Sequence, residues 1–148
     1  MNIPRSALIL GLSGLLPFIW GAATLLSPDL FSWGIANLGP RFVGPIVLIQ
    51  YGTIILAFMS GVLWGFATKA VGERATLGYV LSVIPALWAF FMVGDGAFTS
   101  AVYLIAGFIG LLLLDWSFWR QGLAPEWWMR LRIILTAVVV FCLGVLIV

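Results

Sequence analysis

The chain contains no histidine and a single cysteine, Cys142. Without imidazole there is no ligand for haem, copper or zinc and no histidine general base. One thiol excludes an internal disulfide, an iron–sulfur cluster and a thiolate zinc site. Cys142 lies in an apolar run, where a buried, inert thiol is expected. No Gly-rich phosphate loop occurs, and no basic cluster suited to nucleic acid. No nucleophile–base pair can be assembled from the residues present, so the expectation is a protein that is not an enzyme and carries no cofactor and no metal. Charge is equally scarce. Acidic and basic residues make up 8% of the chain, where a soluble domain needs roughly a quarter to stay solvated.

What is present is hydrocarbon. Apolar residues account for 64% of the 148 positions and the mean hydropathy is +1.21. Several apolar runs reach the roughly 20 residues that cross a bilayer core. No polar stretch is long enough to fold outside the lipid, so the chain reads as a single transmembrane helical domain, 1–148. Apolar runs set against charges place spans near 6–26, 45–67, 77–93, 98–118 and 127–148. The first run follows Arg5 and ends Gly21-Ala22-Ala23, but it is longer than the apolar region of a typical leader and is expected to be a span.

Five spans put the termini on opposite sides. Arg5, Lys69, Arg74, Arg120, Arg130 and Arg132 then fall on the side of the N-terminus, and Arg41 alone on the other. This asymmetry places the N-terminus in the cytoplasm and the C-terminus in the periplasm. Ser27-Pro28-Asp29 has the form of a helix start: a cap, a proline in the first turn, then an acid at the positive end of the dipole. Leu30, Phe31 and Trp33 follow, with Gly34 as the expected close of a short periplasmic interfacial helix. Gly39-Pro40-Arg41 and Gly44-Pro45 break the chain before the second span. Pro125-Glu126 is read as the start of the fifth helix. Trp116, Trp119, Trp127 and Trp128 are placed at headgroup level.

The second span is the most patterned element. At 100° per residue, Gln50, Thr53, Ala57, Ser60, Gly61, Trp64, Gly65 and Thr68 share one face, and bulky residues such as Leu56, Phe58, Met59 and Leu63 share the other. Ala57, Gly61 and Gly65 form a small-residue ladder that would admit a neighbouring helix. The small-polar stripe is therefore expected to face protein and the bulk to face lipid. The stripe reads either as the central packing surface or, with Gln50, Ser60 and Trp64, as the lining of a small internal cavity. Pro17 and Pro85 interrupt helices at mid-membrane depth, freeing the carbonyls of Ser13 and Leu81. They read as kinks that shape packing, and alternatively as the broken helices of a binding site. Asp115 is an acid inside the fourth span, at the unfavourable end of the helix dipole. It needs a cation or a proton there. Arg130 and Arg132 open the next helix on the same side, so an ion pair joining the two helices is expected, with proton handling or headgroup binding as the alternative.

The run 51–67, from Tyr51-Gly52-Thr53 through Ser60-Gly61 to Trp64-Gly65-Phe66-Ala67, resembles the signature of the domain of unknown function 3429 family. Ser82-Val83-Ile84-Pro85 fits the same pattern. So does the stretch from Asp115 through Gly122-Leu123-Ala124-Pro125 and Trp128 to Leu131-Arg132, and the likeness begins at Leu10-Gly11-Leu12. The family often carries tyrosine where Trp128 stands, which argues against a hydroxyl-dependent role at that position. The resemblance implies a small multi-pass protein of the bacterial inner membrane, similar to a mitochondrial transmembrane protein of animals. It brings no catalytic residues. It favours a non-catalytic accessory or assembly subunit of a larger respiratory or photosynthetic complex, with membrane lipids as the other partners. The alternatives are a lipid- or quinone-binding protein with a small intramembrane cavity and, last, a small transporter.

Overall fold

In the computed structural model, which describes residues 2–148, the apolar runs become α-helices and no strand occurs among those residues. The elements are α1 (Arg5–Ser13), α2 (Leu16–Leu26), α3 (Pro28–Leu38), α4 (Gly44–Ala67), α5 (Glu73–Met92), α6 (Ala97–Arg120) and α7 (Trp128–Gly144), with a 3-10 turn at Pro40–Phe42. Among the described residues four units are long and apolar enough to cross a membrane: Arg5–Leu26, Gly44–Ala67, Glu73–Met92 and Ala97–Arg120. The regular part of α7 has 17 residues, short of the roughly 20 that a perpendicular crossing takes.

Local chemistry explains where the helices begin. Ser27 caps α3 by accepting from the Leu30 N–H at 3.4 Å, and Pro28 and Asp29 occupy its first turn. The sequence reading closed this helix at Gly34, whereas it runs on to Leu38 and stops at Gly39, whose φ of 94° suits a residue without a side chain. Gly34 lies inside the helix because the Val43 side chain and the Trp20 ring take the space of a Cβ. Trp20 also donates from Nε1 to the Phe42 carbonyl at 2.7 Å, and the Gly44 N–H donates to Thr24 Oγ1 at 2.8 Å. These bonds fold the α3 segment back over the end of α2. Helix α5 starts at Glu73, four residues before the expected boundary, since an acid in the first turn favours an N-terminus. Pro125 belongs to a turn rather than to α7, which begins at Trp128.

The core is assembled around α4. Leu48, Leu56 and Leu63 are fully buried on one face of this helix, and meet Phe18, Leu104, Phe108, Leu111 and Phe118 from α2 and α6. Phe18 stands edge-on to Phe108, with centroids 6.2 Å apart, and edge-on to Tyr51 at 5.0 Å. Neighbouring helices come close through their own glycines. A Cβ at Gly21 of α2 would lie 2.7 Å from Leu48, and one at Gly78 of α5 would lie 2.9 Å from the Ala67 Cβ.

The expected faces of α4 are therefore largely reversed, with Phe58 still outward and Ser60 still buried. The side carrying Leu56, Met59 and Leu63 packs inward, whereas Gln50, Ala57, Gly61, Trp64, Gly65 and Thr68 are exposed. Among the described residues nothing lies within 4 Å of a Cβ built at Gly61 or Gly65, so these two glycines seat no neighbouring helix. The physical reason is that acyl chains are as apolar as leucine, so bulk is not driven outward. Bulky side chains on α4 fill the gaps left by glycines on its neighbours.

Candidate functional site

The polar centre of the protein joins the end of α6 to the start of α7. Trp128, Arg132 and Thr136 follow one another at four-residue spacing, which sets them on one face of α7. That face meets Asp115, which is fully buried. Arg132 donates from Nε to Asp115 Oδ2 at 2.8 Å, and Trp128 donates from Nε1 to Oδ1 at 3.0 Å. Arg132 is 4% exposed and also donates from Nη2 to Thr136 Oγ1 at 3.4 Å. Each carboxylate oxygen thus has a donor and the two charges cancel, which is the arrangement a buried pair needs to offset its desolvation. Of the two candidate arginines, Arg132 is the one on Asp115. Arg130 is exposed, since two residues turn a helix by about 200° and carry it to the other side.

The surroundings hold this cluster in place. The Phe66 ring is perpendicular to Trp128 with centroids 5.1 Å apart, and Lys69 donates from Nζ to the Leu123 carbonyl at 3.3 Å. The end of α4 is thereby tied to the α6–α7 connection. Held by an arginine and an indole of α7, the Asp115 carboxylate links the end of α6 to the start of α7.

Gln50, Ser60 and Trp64 do not line one cavity. From Gln50 to Trp64 is 14 residues, about 21 Å along the helix. Gln50 accepts from Arg41 Nε at 3.5 Å on the exposed side, Thr53 donates to the Ile49 carbonyl of its own helix at 2.7 Å, and the Trp64 ring lies against Tyr79 with centroids 4.5 Å apart. Ser60 alone of the stripe's polar residues is buried.

The family model described as a protein of unknown function, DUF3429, matches residues 3–148. The chain belongs to this family. It is also 34% identical over 148 residues to Transmembrane protein 69 of Xenopus tropicalis, an alignment that covers 96% of this chain and 53% of the relative. The chain therefore spans about half the length of the curated relative it matches. No solved structure matches.

In this DUF3429 chain the two prolines act differently. Before Pro17 the helix stops: α1 ends at Ser13, α2 starts at Leu16, and the Gly14 carbonyl at the break accepts from the Tyr51 hydroxyl at 2.9 Å. At Pro85 the helix continues, and the next N–H, that of Ala86, donates to Ser60 Oγ of α4 at 2.8 Å. Ser82 bonds instead to the Tyr79 carbonyl at 2.7 Å. At each irregularity α4 thus supplies a partner to a neighbouring backbone group, the Gly14 carbonyl at one and the Ala86 N–H at the other. Trp128 and Thr136 were missed as members of the Asp115 cluster. The signal was available: a donor, a cation and a hydroxyl four residues apart, on the helix that follows a buried acid.

Proposed function

We propose that this chain is a non-catalytic, five-span accessory or assembly subunit of a larger respiratory or photosynthetic complex in the bacterial inner membrane. The observation that carries this reading is the uncovered face of α4. Ala57, Gly61 and Gly65 recur there at four-residue spacing with open space beyond both glycines. Small residues on a membrane helix let a second helix approach closely; α5 touches the edge of this face at Ser60 and Trp64, but among the described residues nothing lies within 4 Å of a Cβ at Gly61 or Gly65. The closed Asp115–Arg132 pair is in keeping with a scaffold rather than a catalyst.

The topology belongs to the same proposal. Past Gly144, α7 continues through Val145, Leu146 and Ile147 as i→i+3 turns, which lengthens its apolar path toward a full crossing. With α7 as the fifth span, the basic residues keep their six-to-one distribution, the N-terminus is cytoplasmic and α3 lies at the periplasmic surface. Helix α3 suits that place, since Asp29, Leu30, Trp33 and Asn37 are all exposed.

The test is purification of the tagged chain from its native membrane in mild detergent, with the Gly61→Leu variant beside it. Companion proteins in fixed stoichiometry, lost in a Gly61→Leu variant that still folds, support the reading. A wild-type chain that migrates without companions refutes it, as does a variant that retains them undiminished.

A further inference from the structure

A cavity of about 150 Å³ lies between the α1–α2 break, α4 and α7, a size that accommodates a benzene-like ring. Its walls are apolar, with Phe18, Phe108 and Val139 inside and the exposed Leu10 and Phe58 at its rim. Arg132 and Thr136 are its polar residues. An arginine has five N–H donors. Nε is used on Asp115 and Nη2 on Thr136, and among the described residues none accepts from Nη1. No fully enclosed side-chain nitrogen or oxygen among the described residues lacks a partner, so the unpaired donor edge of Arg132, which lines the cavity, is reached from open space, where an entering acceptor would complete its hydrogen bonding.

The electrostatics select the acceptor. Asp115 already neutralises Arg132, so an anion would leave the buried site with a net negative charge, a costly state in apolar surroundings. A neutral carbonyl completes the hydrogen bonding without adding charge. We propose that this cavity holds one molecule bearing a neutral carbonyl on an apolar body, its oxygen accepting from Arg132 Nη1 and its tail leaving between Leu10 and Phe58. The ester of an acyl lipid and the carbonyl of a quinone ring share this chemistry. The site does not rest on the subunit reading, because it is lined by none of Ala57, Gly61 and Gly65.

Native mass spectrometry of the purified full chain tests this, after incubation with decylubiquinone, with phosphatidylcholine or with phosphatidylglycerol. One molecule per chain should survive activation that strips bulk detergent. Arg132→Lys keeps a cation against Asp115 but lacks the second donor arm, and should retain about tenfold less or lower still. Leu10→Trp adds bulk at an exposed rim position and should reduce retention several-fold without touching the ion pair, so it decides the matter if Arg132→Lys does not fold. Phe90→Trp, exposed on α5, should bind as the wild type does. Retained decylubiquinone identifies the ring as the occupant, and retained phosphatidylcholine identifies the acyl ester. No retained molecule, which would leave the donor edge to water, overturns the site. Equal retention in all variants overturns it too, and preference for phosphatidylglycerol over phosphatidylcholine overturns the neutral-carbonyl class.

Discussion

Replacing Asp115 by asparagine keeps the size of the side chain and removes its charge. The asparagine oxygen can still accept from Trp128 Nε1, but its amide then turns N–H groups toward Arg132 Nε, which now sits 2.8 Å from an acceptor. The guanidinium is left buried, charged and facing a donor. Removing one partner of such a pair costs about 3–5 kcal/mol, and the burial of both residues, 0% and 4% exposed, places this site at the upper part of that range. Trp128→Phe takes away one hydrogen bond to a charged group and should cost less, about 1.5–3 kcal/mol. The decisive measurement is a double-mutant cycle. Unfolding in detergent, followed by tryptophan fluorescence or circular dichroism, is compared for Asp115→Asn, Arg132→Met and the pair together. With both charges gone no buried ion is left uncompensated, so the double variant should lose much less than the two single losses added. Additive losses would mean that the carboxylate and the guanidinium do not interact, and the account of α6 bolted to α7 would fall.

Leucine at Gly78 drives a side chain into the Ala67 Cβ, which has no rotamer with which to yield, so Gly78→Leu should destabilise the isolated chain by about 1–3 kcal/mol. Gly61→Leu should leave the melting of the same isolated chain nearly unchanged, and equal losses in detergent would contradict the assignment of the α4 faces. Ser60→Ala removes the acceptor that the Ala86 N–H uses beside Pro85, a loss of about 1–3 kcal/mol that should disappear in a Pro85→Ala background, where a helical carbonyl takes over. For topology, a reporter fused after Val148 should be active as a periplasmic type and one fused after Gly72 as a cytoplasmic type. Activity of both on the same side would remove α7 from the count of spans.

Membrane residence, the helical class and the approximate limits of the long helices follow from composition and run length, because a bilayer demands apolar segments of a set length whose backbone bonds close internally. The start of α3 was legible in Ser27-Pro28-Asp29 for a similarly local reason, since capping acts within one turn. A buried acid seeking a cation from the next helix could also be read, because an unpaired carboxylate is too costly in apolar surroundings. Tertiary structure alone decided which arginine meets it, as Arg130 and Arg132 differ by a rotation fixed only when α7 docks on α6. It also decided the inward face of α4. In water the apolar side of a helix turns inward, but in lipid both sides are equally at home, so Leu56 and Gly61 carry no label saying which is core. Shape settles that question, and it depends on Gly21 and Gly78, which lie far from α4's core residues in the chain and reach them only once the bundle has closed.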